Sequence, residues 1–110
     1  MIEKIVLDYL KEKLQVDVHL EKPKDKSTFV LLEKTGSGSE NHVFTAMIAV
    51  QSYATSMERA ALLNEEVKAA MNEIVELDDI ARCDLNSDYN YTDTSTKQYR
   101  YQAVYDLVHY

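Results

Sequence analysis

An α+β fold is predicted, with two helices packed on one face of a largely antiparallel β-sheet in the order α-β-β-β-α-β-β. Two segments, Ile2 to Leu14 and Ala60 to Ile74, repeat apolar residues at the 3.6-residue spacing of a helix. Other segments alternate apolar and polar residues with the period of two that marks a strand. The second helical pattern sits between two groups of strands, an order that suits a sheet covered on one side. All of this fits in 110 residues, 1–110, which read as a single domain. Folding a chain of this size removes roughly two-thirds of its unfolded surface from water, enough for one modest core.

In "IEKIVLDYLKEKL", Ile2, Ile5, Val6, Tyr9, Leu10 and Leu14 fall on one helical face, and Glu3, Lys4, Asp8, Lys11 and Glu12 on the other. "VDVHL" alternates, with Val16, Val18 and Leu20 on one side and Asp17 and His19 on the other. "KPKDK" ends that strand because proline cannot donate to a ladder. "TFVLLEK" gives a second strand through Phe29–Lys34. "TGSGSENH", Thr35 to His42, holds both glycines of the chain and predicts a long, flexible hairpin loop. Its glycine spacing matches neither phosphate-binding pattern, and no helix follows it.

"VFTAMIAVQSY" forms the third strand, with Phe44, Ala46, Ile48 and Val50 on one face. Its other face, Val43, Thr45, Met47, Ala49 and Gln51, is only mildly polar, so the strand is expected at the centre of the sheet. In the second helix, Thr55 and Glu58 fit a capping box. Ala60, Leu63, Val67, Ala70, Met71 and Ile74 form its inward stripe. A fourth strand lies around Ile80–Leu85, and a polar loop is expected over Asn86 to Lys97. In the last strand, Tyr99, Tyr101, Ala103, Tyr105, Leu107 and His109 face one side.

The composition excludes several functions. A formal net charge of −7 opposes binding to phosphate backbones, which needs clustered Lys and Arg. Lys22, Lys24 and Lys26 alternate with Glu21 and Asp25, so they read as a solvated loop. No apolar run approaches the ~20 residues that span a bilayer. The start, "MIEKIVLDYL", has early acids and no small-residue cleavage site, which predicts a protein made without a signal peptide. Cys83 is the single cysteine, so no disulfide can form within the chain, and the three histidines make no cysteine-protease signature with it. Asp78, Asp79 and Asp84 lack the spacing and the glycine of a metal loop, and Asp88, Asn90 and Asp93 do not follow the order of a calcium loop. No catalytic residue, metal ligand or cofactor is expected, and the chain is read as not an enzyme.

Six of the eight tyrosines lie in the closing stretch "SDYNYTDTSTKQYRYQAVYDLVHY". Stacking on single-stranded nucleic acid normally comes with a basic groove. From Asn86 onward the only bases are Lys97 and Arg100, so these tyrosines are expected to pack a core edge or a subunit contact.

The phrases "FVLLEKTGSGSENHVFTAMIAVQSYA" and "NSDYNYTDTSTKQYRYQAVYDLVHY", with "VDVHLEKP" before the first and "AALLNEEVKAAM" between the two, resemble the tail-terminator (tail-completion) proteins of siphophages and prophages of Gram-positive bacteria. The resemblance spans nearly the whole chain and involves no catalytic motif. It implies an α+β subunit of a homo-hexameric ring that caps the tail tube, ends tail polymerisation and forms the head–tail joining surface. The implied partners are other copies of the chain, the tail-tube protein and the head connector or neck proteins. No membrane is implied, and DNA only passes through the lumen. The implied location is the host cytoplasm during assembly and then the virion tail. Candidate contacts with the ring or tube are Gly36, Ser37, Gly38 and Ser39 in the first loop, and Tyr89, Tyr91, Tyr99 and Tyr101 around the second. A head-closure or other neck component, or a small host module that binds a ligand or protein, are the alternative readings.

Overall fold

The computed structural model describes all residues, Met1 to Tyr110. Helix α1, Ile2–Lys13, buries Ile2, Val6, Tyr9 and Leu10, the stripe that the apolar spacing selects. Lys11 and Lys13 occupy its last turn, where the helix dipole favours positive charge. The chain then turns extended at Leu14.

Five strands follow: β1 (Val18–His19), β2 (Phe29–Glu40), β3 (Val43–Ala54), β4 (Ile80–Asn90) and β5 (Tyr99–His109), with helix α2 (Met57–Met71) and a 3-10 turn (Ile74–Glu76) between β3 and β4. The spatial order is β1-β2-β3-β5-β4, so β3 is central as expected. Pairing is antiparallel throughout except between β1 and β2.

Register assigns every side chain to a face. Leu32, Val50 and Ala103 lie abreast on β2, β3 and β5, and Ile48 is abreast of Tyr105. Both helices cover this face, and one core cluster joins them to Val30, Leu32, Ala46, Ile48, Val50, Ala103, Tyr105 and Leu107. Each Val, Leu or Ile among them contributes about 1.5–3 kcal/mol on burial. The Tyr9 hydroxyl donates to the Ala70 carbonyl at 2.7 Å and fixes α1 against α2. The opposite face, carrying Phe29, Leu31, Ala49, Gln51, Tyr53, Arg100, Gln102 and Val104, has no helix over it.

Several expectations need correction. Thr35 to His42 is not a long loop. Strand β2 continues to Glu40, and the hairpin closes with two residues, Asn41 and His42, at φ 52° and 67°. Two successive left-handed residues make the tight turn whose twist matches a hairpin, and Asn and His tolerate that conformation better than most side chains. The glycines serve the strand instead. Gly36 follows a register shift after Lys34, and a Cβ on Gly38 would come within 3.0 Å of Thr45 Oγ1.

The second polar loop is also shorter than expected, because β4 runs to Asn90. The connection is closed by paired backbone hydrogen bonds between Asp93 and Gln98. The cap of α2 is Ser56, whose Oγ accepts from the Arg59 amide at 3.2 Å, rather than Thr55 with Glu58. Strand β1 is only two residues long, runs parallel to β2, and leaves Leu20 exposed. Phe44 falls on the covered face but outside the core cluster, is 42% exposed, and stacks on His109 at 5.7 Å.

Candidate functional site

The sequence-selected residues fall into two groups at opposite ends of the sheet. Ser37, Gly38 and Ser39 lie abreast of Ala46, Thr45 and Phe44, whereas Tyr99 and Tyr101 lie abreast of Ala54 and Ser52. From Thr45 to Ala54 the strand rises about 30 Å at ~3.4 Å per residue. No single contact joins the two groups within one chain.

The glycine–serine group lies on an open sheet edge. Strand β1 pairs only with Val30 and Leu31, so the outer edge of β2 beyond them has no strand partner. Met1, Val43, Phe44 and Met47 are exposed around this end. A groove of about 380 Å³ lies there, bordered by Met1, Lys34, the Ser37–Ser39 backbone, Phe44 and His109. Backbone donors and acceptors on such an edge are satisfied by water or by a strand from another chain.

The tyrosine group is divided by the pleat. Tyr99 and Tyr101 are half-buried on the covered face. Tyr89 and Tyr91 are exposed on the open side and meet edge to face at 5.8 Å. Beside them runs a hydrogen-bonded ladder. Arg100 Nη1 donates to the Tyr53 hydroxyl at 2.8 Å, and that hydroxyl donates to Gln51 Oε1 at 3.1 Å. Gln51 Nε2 donates to Gln102 Oε1 at 2.7 Å, and Gln102 Nε2 donates to the Tyr89 hydroxyl. The Arg100 guanidinium lies 4.4 Å from the Tyr91 ring centroid and 5.5 Å from that of Tyr53. Sequence reasoning did not select Gln51, Arg100 or Gln102. Their only signal was a polar residue at an alternate position of an otherwise apolar strand.

Three side chains tie α2 to β4. Asn64 Nδ2 and Lys68 Nζ each donate to the Asp88 carboxylate at 2.6 Å. Partial burial pushes the Asp88 carboxyl upward, but the Lys68 ammonium and the Asn64 amide outweigh it and hold the group below the usual range.

Reactive side chains do not converge. No group of three or more His, Cys, Asp or Glu residues could hold a metal ion. Cys83 is half-buried on β4, and its thiol is pushed up to about 12, first by burial and then by Asp84 and Asp106. At neutral pH it is a protonated, weakly nucleophilic thiol. Asp78 and Asp79 are exposed in the connection before β4. Asp93 accepts from the Ser95 amide and hydroxyl, and these bonds, with those of Thr96, lower its carboxyl.

The arrangement offers two different surfaces at the two ends of one sheet: an open strand edge beside exposed apolar groups, and a tyrosine and arginine surface held by hydrogen bonds. No protein-family model matches the chain, and no curated protein matches it significantly.

Proposed function

We propose that the chain is a structural subunit that closes head-to-tail into a ring on the end of a phage tail tube, stops its growth and offers the surface on which the head is joined. The observation that carries this reading is the open outer edge of β2 beside exposed Met1, Val43, Phe44 and Met47, about 30 Å along the sheet from the Tyr89–Tyr91 surface. A head-to-tail contact requires two unlike patches on one subunit, and it makes a ring when the rotation between copies closes. The motif resemblance over nearly the whole chain supports the same reading and supplies the partners: further copies, the tail-tube protein and the head connector. An excess of seven negative charges suits a lumen through which DNA slides without sticking.

The test is the mass in solution across a wide range of protein concentration, measured by light scattering behind a sizing column. The expected result is a discrete ring, or a monomer–ring equilibrium, with no longer polymer. Phe44→Glu should shift that equilibrium to monomer while the melting temperature stays nearly constant, because the side chain is exposed. A tube subunit would instead grow into long tubes. A protein that stays monomeric at every concentration, even with tail-tube ends present, would overturn the reading.

A further inference from the structure

At the tyrosine end of the sheet, the crossover between β1 and β2 meets the loop between β4 and β5. Lys22 Nζ donates to Gln98 Oε1 at 2.9 Å, joining segments 76 residues apart. Between them lies a cavity of about 310 Å³, bordered by Lys22, Lys26, Ser27, Tyr53, Lys97 and Gln98 among others. We propose that this cavity is a binding site for a small dianion, a molecule bearing phosphate or paired carboxylates.

Three lysines, Lys22, Lys26 and Lys97, line the cavity, and no Asp or Glu does. In a chain of net charge −7 this is a local inversion of sign. Lys26 is neutralised by Asp17 at 2.8 Å. Lys22 and Lys97 take part in none of the chain's ion pairs. Lys22 and Lys97 are thus free of close ion pairs, and Lys22 keeps donors beyond the one given to Gln98. Lys97 sits at φ 56°, a conformation unfavourable for a lysine, held by the paired backbone bonds between Asp93 and Gln98 on either side.

The wall behind these charges is apolar and fixed. Phe29 and Tyr53 are buried and stack at 4.4 Å. The Tyr53 ring is already occupied by cations, with Lys22 at 5.6 Å and Arg100 at 5.5 Å. A flat ring in the ligand therefore gains little there, and the recognised feature is the charged head group. Charges beside a low-dielectric wall attract an anion more strongly than the same charges in open water. Ser27 and Thr55, also among the lining residues, carry hydroxyls of the kind that donate to oxygens of such a head group.

The site stands independently of the ring reading. The test is titration of the full-length, ¹⁵N-labelled protein with inorganic phosphate and, separately, with succinate, at constant ionic strength set by sodium chloride. The expected result is a saturable shift of the Ser27, Lys97 and Gln98 amides by at least one of the two anions, and the tighter one identifies the head group. Lys22→Gln and Lys97→Gln should each weaken binding about tenfold. Lys24→Gln, on the same crossover but outside the cavity border, should leave it unchanged. The proposal is overturned if neither anion gives a saturable response, or if Lys24→Gln weakens binding as much as the other two. It is also overturned if bound anion breaks up an oligomer, because the native occupant would then be a carboxylate of another copy.

Discussion

The covered and open faces of the sheet come from the same strands, and each removes side chains from water in a different way. On the covered face, α1 and α2 lie over aliphatic residues, and Tyr105 is sealed among them at 3% exposure with no partner for its hydroxyl. Burial pushes the Tyr105 phenol well above its ordinary range. On the open face, Tyr53 and Gln51 are buried without any helix. Each side chain in the ladder from Arg100 through Tyr53, Gln51 and Gln102 to Tyr89 is hydrogen-bonded to the next. The difference shows that tyrosine has two physical uses here. In the core it fills volume, and on the open face its hydroxyl links a hydrogen-bonded surface to its rings.

The comparison can be broken at its core end first. Tyr105→Ala should destabilise the fold by about 3 kcal/mol or more, as large aromatic truncations do, whereas Tyr105→Phe should be close to neutral because the hydroxyl has no protein partner. Urea unfolding of the pair checks this. A large loss from Tyr105→Phe would mean that the hydroxyl, and not the ring, stabilises this part of the core.

A middle-sized effect is expected at the rim, where Asp88 holds α2 to β4. Asp88→Asn should cost about 1–2 kcal/mol at neutral pH through weakened charged hydrogen bonds. The carboxyl of Asp88 is lowered in the folded state. Its contribution is therefore complete above the unfolded-state value near ~4 and is lost as pH falls through the lower folded value. Unfolding curves between neutral and acidic pH should show a shallower acid loss for Asp88→Asn than for the parent chain. Parallel curves would show that other carboxylates carry the acid sensitivity.

The smallest effect belongs to the open face. Gln102→Ala removes two hydrogen bonds of the ladder, from Gln51 Nε2 and to the Tyr89 hydroxyl, and should cost about 1 kcal/mol, since each net hydrogen bond on a partly exposed face contributes modestly. A loss as large as that of Tyr105→Ala would make the ladder as important to stability as the core and would erase the contrast between the faces. Urea midpoints measured side by side decide it.

Much of the fold was legible because periodicity is local. The stripe Ile2, Val6, Tyr9 and Leu10 was visible as helix spacing, and so was Ala60, Leu63, Val67 and Met71. The alternation of Ala103, Tyr105 and Leu107 named the covered side of β5. Composition misled at "TGSGSENH", where small polar residues suggested a loop but, after a register shift at Thr35, Gly36 to Glu40 continue a strand paired with β3. A polar segment can keep strand geometry when its partner supplies the hydrogen bonds, and composition does not reveal the partner. The candidate contacts were legible only as residue types: Ser37 and Gly38 were expected on a loop and lie on a strand edge, whereas Tyr99 and Tyr101, expected at a core edge or a subunit contact, are half-buried on the last strand.

The amino-acid sequence by itself determined the order of the helices and strands, the apolar side of most of them, and the absence of an internal disulfide. These properties depend on residues a few positions apart. The tertiary structure decided that β5 lies between β3 and β4, that β1 runs parallel to β2, and that Lys22 meets Gln98. It also decided that Arg100, Tyr53, Gln51, Gln102 and Tyr89 form one ladder. Those choices are made between residues tens of positions apart. Strands with the same alternation can pair in several orders, and the one selected covers the aliphatic face with both helices and leaves the polar side chains of the other face abreast of partners they can bond.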